Sequence, residues 1–288
     1  MIAVYQKELG SYWRGMLGYL FSAFVLIFAG IYTMAYNLSG AYANFAYVLD
    51  AISFIYLIAV PILSMRTFAE ERRQKTDQLL YALPVSMSGV VLGKYLAMLT
   101  VLAAPTLIMA LYPLILMQFG SVPLATAYGA LAAFFLLGAC LLSVGLLISS
   151  VTENQVASAV ITLVTVLLLY FMKGLSEFVS TEASASLMAL CLLVALFAVA
   201  LYMLCKNPIV ALGAAVVGIG ALMACYTVNS SAFEGLFASI MAQLSVFDRF
   251  YGFVNGVFDL TAVVYYGSII AVFLFLTVQA MEKRRWSE

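Results

Sequence analysis

Charged side chains are concentrated in one short stretch, the segment from Arg66 to Asp77. The sequence has 13 basic and 13 acidic residues among 288, and seven of them stand in this segment. Mixed charges at this density form ion pairs, and they give specificity and register toward a protein partner. The seven are Arg66, Glu70, Glu71, Arg72, Arg73, Lys75 and Asp77.

Catalytic chemistry finds little support in the sequence. The chain has no histidine, which removes the commonest general base and the commonest metal ligand. Its four cysteines lack metal-binding spacing. The stretch "GVVLGKY" departs from a phosphate-binding loop at Ser88 and Tyr95, so Lys94 is interpreted as an inner-face anchor of a membrane span. We therefore expect no catalytic, cofactor-binding or metal-binding residues, and net charge zero gives no basis for binding nucleic acid.

The elements that position the charged segment are predicted to be membrane-spanning helices. The chain is 66% hydrophobic and 9% charged, whereas soluble domains are about a quarter charged. A spanning helix needs roughly 20 predominantly apolar residues. This length predicts an all-α polytopic membrane protein with eight transmembrane helices, at residues 16–36, 47–65, 90–117, 124–149, 154–172, 187–205, 209–227 and 261–281.

The distribution of basic residues predicts the orientation. With the N-terminus inside, eleven Lys and Arg residues fall in the cytoplasm, and only Lys173 and Arg249 fall outside. An even number of spans places both termini in the cytoplasm. The sixth and seventh spans are joined only by "CKNP", and six spans would remain, in the same orientation, if this hairpin did not cross.

Two segments are predicted to lie along the membrane rather than to cross it. Residues 1–15 mix apolar and charged side chains, which suits a helix at the inner interface; a frayed leader to the first span is the alternative. Residues 228–260 suit an external amphipathic or re-entrant pair of short helices, or an ordinary outer loop. The predicted interfacial side chains are Tyr5, Lys7, Glu8, Tyr12 and Trp13.

The charged segment has the composition of a cytoplasmic helix over residues 66–86, about six turns long at ~3.6 residues per turn. Glu71 and Lys75 have the favourable i, i+4 order, and Arg73 and Asp77 repeat that spacing. Pro84 is expected to end the helix. The same element has apolar surface at Phe68, Thr76, Leu79, Leu80 and Leu83.

The stretch "MRTFAEERRQKTDQLLYALPV" closely resembles the cytoplasmic segment of type-2 ABC exporter permeases. The N-terminal "YQKEL" and the closing "FDRFYGFVNGVFDL" resemble the gliding-motility GldF-like branch. The resemblance implies a six-span core, to which the sixth and seventh spans add a hairpin. One position departs from the pattern, because Lys75 stands where many relatives have glycine before the threonine.

The resemblance also implies a function and its residues. The segment would be the coupling helix that docks on a separate cytoplasmic ABC ATPase, which would bind ATP and Mg²⁺ while this chain holds no cofactor. Two permease copies or paralogues would form the path in a bacterial inner membrane, with an auxiliary extracytoplasmic partner possible. The implied coupling residues are Arg66, Phe68, Ala69, Glu70, Glu71, Arg72, Arg73, Thr76, Leu79 and Leu80.

Two other classes of function stay open from the residues themselves. A membrane scaffold or signalling component could use the same charged segment to bind a different cytoplasmic protein. An intramembrane enzyme acting on lipid is the third class, and the absence of histidine and of acid pairs within the spans disfavours it. The residues do not identify a substrate.

Overall fold

The computed structural model describes residues 1–76, 86–205 and 208–287, and these residues form helices without strands. The helices are α1 (Ile2–Arg14), α2 (Leu17–Thr33), α3 (Phe45–Ile52), α4 (Tyr56–Ser64), α5 (Ala69–Arg73), α6 (Met87–Met109), α7 (Tyr112–Leu116), α8 (Leu124–Val151), α9 (Gln155–Phe178), α10 (Ala183–Cys205), α11 (Pro208–Val228), α12 (Leu236–Leu244), α13 (Val246–Val254) and α14 (Leu260–Ser287). A π-helical turn, Met34–Ser39, continues α2.

Six helical stretches of the described residues are long and apolar enough to cross a membrane. The prediction of an all-helical polytopic membrane protein is therefore confirmed. Helix α2 with its π-turn forms the first stretch, and α3 to α5 form the second. The six are Leu17–Ser39, Phe45–Arg73, Met87–Leu116, Leu124–Val151, Gln155–Phe178 and Leu260–Arg285.

The predicted sixth and seventh spans coincide with helices α10 and α11. Their described apolar stretches, Ala183–Val199 and Leu212–Val228, are shorter than the other six. The turn expected at Lys206 and Asn207 lies outside the described residues. The count of eight spans and the cytoplasmic position of both termini therefore stay predictions.

The chain divides into two compact units. The first contains Met1–Leu168 and Val246–Glu288, and the second contains Leu169–Ser245. Within the second unit, α10 and α11 pack against each other as a helical pair. The first unit contains all residues that were predicted to bind a partner, and both sites described below belong to it.

Helix α8 forms the centre of the first unit. A Cβ atom on Gly145 would stand 2.5 Å from Ser64 Oγ, and one on Gly138 would stand 2.8 Å from the Tyr56 hydroxyl. These two glycines therefore let α4 approach the α8 backbone closely, as small residues do between membrane helices. Tyr56 also donates a hydrogen bond to the Phe134 carbonyl at 2.9 Å. The second and fourth spans are thus held together along α8.

The N-terminal residues form a helix that packs on the third span. The backbone of α1 comes close to α6 at Gly93, where an added Cβ would lie 3.0 Å from the Met1 carbonyl oxygen. Tyr5 shares a hydrogen bond with Thr100 at 3.0 Å. Helix α1 is thus fastened to a spanning helix by specific contacts, and its position at the membrane interface stays a prediction.

The predicted external segment, 228–260, contains short helices. A 3₁₀ turn at Ser230–Phe233 and helix α12 belong to the second unit, and helix α13 belongs to the first. Burial of Val246, Phe250 and Phe253 shows that α13 has one apolar face turned into its unit. Its position at the outer face of the membrane stays a prediction.

Candidate functional site

The charged segment lies at one end of the first unit, which we call the charged end: α1, α5, the start of α6 and the end of α8. Its centre is the ammonium group of Lys94, whose side chain is fully buried in the second turn of α6. Lysine is almost never buried unless it is paired. The contacts of Lys94 therefore decide what this end of the molecule does.

Lys94 Nζ joins three parts of the chain. It donates hydrogen bonds to Glu8 Oε1 of α1 at 2.9 Å and to the Thr67 carbonyl at 2.7 Å. It also lies 3.0 Å from Glu71 Oε2 of α5. The ammonium stands over the Phe68 ring, 5.0 Å from its centroid, in cation–π geometry. We call Lys94, Glu8, Glu71, Thr67 and Phe68 the Lys94 cluster.

Further pairs surround the Lys94 cluster. Lys7 Nζ, which is largely exposed, lies 3.2 Å from Glu71 Oε1. The Arg66 guanidinium and the Glu70 carboxylate form an i, i+4 pair in which both groups are partly exposed. These side chains line a cleft of about 450 Å³ between α1 and the charged segment. Both acidic and basic groups line this cleft.

Helix α8 holds the two ends of α5. The Ser149 hydroxyl accepts hydrogen bonds from the Phe68 and Ala69 amides at 3.1 and 3.2 Å, and so satisfies donors at the start of a helix. Arg72 is buried and donates to the Thr152 carbonyl at 3.0 Å, where α8 ends. A cation is favourable at the C-terminal end of a helix. Helix α5 is therefore bonded to α8 at both ends.

Tyr12 of α1 bonds to the segment that precedes α5. Its hydroxyl donates to the Leu63 carbonyl at 3.0 Å and lies 3.3 Å from the Thr67 hydroxyl. Burial raises the pKa of Tyr12 well above its ordinary value, although the hydrogen bond with Thr67 opposes that shift. The phenol is therefore neutral at physiological pH.

The structure corrects the prediction of one helix over residues 66–86. The described helical part is α5 alone, five residues long. Lys75 has a φ of 56°, the left-handed region, so the helix does not continue through it. The predicted pair of Glu71 with Lys75 gives way to Glu71 with Lys94 and Lys7. Asp77, Leu79, Leu80 and Pro84 lie outside the described residues.

The predicted coupling residues that the structure describes differ in exposure. Phe68, Ala69 and Arg72 are buried within this chain, and their contact with a partner stays a prediction. Glu70 and Glu71 are partly exposed and engaged in intramolecular ion pairs. Arg73, Lys75 and Thr76 are exposed, and so is Gln74 between them. Residues 73–76 are therefore the most exposed part of the described segment.

The predicted interfacial residues divide in the same way. Glu8 and Tyr12 are buried within the first unit, and their place at the lipid headgroups stays a prediction. Trp13 is partly exposed and meets Tyr19 edge to face at 4.9 Å. Lys7 is the exposed member of the ion pair with Glu71. Helix α1 therefore contributes more to the polar cluster than the sequence pattern suggested.

Sequence reasoning missed Lys94 as the centre of the site, and it missed Ser149 and Thr152. The available signal was Lys94 itself, a single basic residue followed by an apolar stretch, with Glu8 and Glu71 as acidic residues in the two neighbouring segments. No group of three or more His, Cys, Asp or Glu residues in the described part of the chain could hold a metal ion.

The fold and the site define a class: a multi-pass helical membrane protein that carries, at one end, a short charged helix bonded to several of its spans. A family model described as "ABC-2 family transporter protein" matches residues 2–198. Since this is more than half of the chain, the protein belongs to the ABC-2 transporter family. Members of this family are generally non-catalytic membrane subunits that work with a cytoplasmic ABC ATPase.

Searches against curated proteins and solved structures add nothing to the family match. No curated protein matches significantly. No solved structure matches significantly.

Proposed function

We propose that this chain is the non-catalytic permease subunit of an ABC exporter in a bacterial inner membrane. A separate cytoplasmic ATPase binds ATP and Mg²⁺ and docks on the exposed residues at the end of α5, and both chain termini lie on that side. Two permease copies, or this chain and a paralogue, form the path for the substrate. Its sequence favours the gliding-motility GldF-like branch, whose members can include an auxiliary extracytoplasmic partner.

The observation that carries this proposal is the anchorage of α5. Within five residues this helix is bonded to α6 through Glu71 and to α8 through Arg72, and its amino end is bonded to Ser149. Buried polar contacts with several partners resist local displacement, because breaking them leaves charges and donors unpaired. A force applied to the exposed end of α5 is therefore transmitted to at least two membrane spans.

The sharpest test uses only exposed positions. The double variant Arg73→Glu, Lys75→Glu reverses two basic charges that the described residues leave at the surface. It should abolish copurification of the Walker-motif ATPase and the ATP hydrolysis of the complex, while membrane insertion and yield of the permease stay normal. Glu70 and Glu71 suit this test less well, since reversing them would break intramolecular ion pairs.

The matched control reverses two exposed basic charges elsewhere, Arg14→Glu with Arg285→Glu. Complex yield should match that of the unaltered protein. Normal ATPase recovery with the Arg73 and Lys75 variant would refute docking at α5. Failure of any ATPase to copurify with the unaltered chain would favour the membrane scaffold or signalling component instead.

A further inference from the structure

A second cavity lies at the opposite end of the first unit, where the first span ends and the second begins. It has a volume of about 590 Å³ and is lined chiefly by Tyr36, Tyr42, Tyr47 and Asp50. The remaining lining residues are small. Three phenol rings and one carboxylate thus surround a space large enough for a small organic group.

The loop that carries this cavity is held by local hydrogen bonds. Asn37 of the π-turn is buried and donates through Nδ2 to the Tyr42 carbonyl at 2.6 Å. The Tyr42 amide donates a hydrogen bond to the Tyr36 carbonyl at 3.2 Å. The Asn44 side chain accepts a hydrogen bond from the Ala46 amide and so caps the start of α3. These bonds hold the backbone of Tyr36 and Tyr42 together on one wall of the cavity.

The opposite wall belongs to helix α3. Tyr47 and Asp50 are three residues apart and lie on one face of the helix. Ring contacts position the phenols: Tyr42 meets Tyr47 edge to face at 5.4 Å, and Tyr36 stacks on Tyr32 at 5.9 Å. Because each ring is braced by a neighbour, the aromatic lining is pre-organised rather than assembled on binding.

Among the described residues, none supplies a counter-charge to the Asp50 carboxylate. It is partly buried in the wall of an aromatic cavity, and no hydrogen bond or ion pair in the described part of the chain engages it. Lys and Arg are absent from the lining. Burial without a partner disfavours a carboxylate, and a cation from outside would relieve that cost. The rings add a preference of their own, because cations are attracted to the faces of aromatic residues.

We propose that this cavity binds an organic ammonium group, with the Asp50 carboxylate as counter-ion and Tyr36, Tyr42 and Tyr47 as an aromatic cage. The combination favours a weakly hydrated cation that carries methyl or methylene groups over a small metal ion, which needs several oxygen ligands. It also disfavours a neutral polyol, because the lining offers few polar groups besides one carboxylate and the phenols. The ligand is either a free amine or the headgroup of a membrane lipid.

The binding test uses choline and its neutral isostere 3,3-dimethylbutanol on the purified chain, without any partner, in nanodiscs of phosphatidylglycerol. Choline should bind, and the isostere should bind at least tenfold more weakly. Asp50→Asn should weaken choline binding about tenfold or more, and Tyr42→Leu several-fold. The control Glu177→Gln removes an exposed carboxylate that does not line the cavity and should leave binding unchanged.

Nanodisc composition distinguishes the two sources. If the ligand is a lipid headgroup, phosphatidylcholine or phosphatidylethanolamine should raise the unfolding temperature relative to phosphatidylglycerol, and Asp50→Asn should remove that difference. If it is a free amine, choline binds in phosphatidylglycerol while lipid headgroups make no difference. Equal binding of choline and its isostere, or no effect of Asp50→Asn in either assay, would overturn the proposal and leave the ATPase-docking result untouched.

Discussion

The two ends of the first unit treat ionisable groups in opposite ways. At the charged end, Lys94 is fully buried and engages two carboxylates and a carbonyl of the same chain. At the opposite end, Asp50 stands in an aromatic cavity, and the described residues provide it with no counter-charge. A buried charge is thus satisfied within the chain at one end, and a partly buried charge has no partner among the described residues at the other.

This difference separates a mechanical role from a binding role. A buried charge that is already paired holds elements in register, and it has no capacity left for a ligand. A partly buried carboxylate without a partner costs stability, and a ligand that supplies the missing charge recovers it. We therefore expect substitution of the buried Lys94 to weaken folding, and substitution of Asp50 to weaken ligand binding.

The largest effect is expected at Lys94. Lys94→Met keeps most of the apolar stem but leaves Glu8 and Glu71 partly buried without their common cation. Removing one partner of a buried pair typically costs about 3–5 kcal/mol. Denaturant unfolding in bicelles should show a loss of that size.

The matched control for Lys94 is Lys7→Met, which removes a largely exposed partner of Glu71. Exposed ion pairs contribute about 0–1 kcal/mol, so this variant should unfold nearly as the unaltered protein does. Equal losses of unfolding free energy for Lys7→Met and Lys94→Met would show that the buried contacts of Lys94 stabilise the fold no more than an exposed ion pair does.

An intermediate effect is expected from the pH dependence of Tyr12. Burial raises its pKa in the folded protein above the ordinary value of 10.0. Above pH ~10 the unfolded chain therefore releases the phenol proton first, which favours unfolding by about 1.4 kcal/mol per pH unit from this group. The stabilising contribution is fully present below pH ~10 and is lost as the pH rises towards the folded-state pKa.

The variant Tyr12→Phe isolates that contribution. Unfolding free energy measured from pH 8 to pH 11 should fall less steeply above pH ~10 for the variant than for the unaltered protein. Below that pH the variant should be less stable by a constant amount, because it lacks the hydrogen bond to the Leu63 carbonyl. Parallel curves of unfolding free energy against pH for the two proteins would show that Tyr12 is accessible to solvent. That result would contradict its burial between α1 and the rest of the first unit.

The membrane spans were predictable because their signal is local. Apolar length alone placed the fourth span at 124–149, and helix α8 occupies Leu124–Val151. The π-turn after α2 extends the first span by only a few residues, and the 3₁₀ turn at Ser53–Ile55 lies inside the second span. Each of these features depends on neighbours along the chain, which a sequence displays directly.

The polar cluster was not predictable in the same way. The i, i+4 rule paired Glu71 with Lys75, but a buried ammonium 23 positions away is a stronger partner than an exposed one in the next turn. Arg72 was among the residues expected to contact a partner, but it is buried and donates to the carbonyl at the end of α8. Long-range pairs depend on how the spans pack, and composition does not encode that packing.

The smallest effect is expected at Asp50, and it sharpens the comparison most. Asp50→Asn keeps the shape of the side chain and removes a charge that the described residues leave without a counter-charge. The unfolding free energy in phosphatidylglycerol bicelles without added amine should change by no more than about 0.5 kcal/mol, or rise slightly, because no favourable contact is lost. A loss of ~2 kcal/mol or more would mean that Asp50 supports the fold as Lys94 does. A near-zero change in stability together with lost choline binding would establish that the two residues differ in kind. Lys94 would then stabilise the fold, whereas Asp50 would bind a ligand.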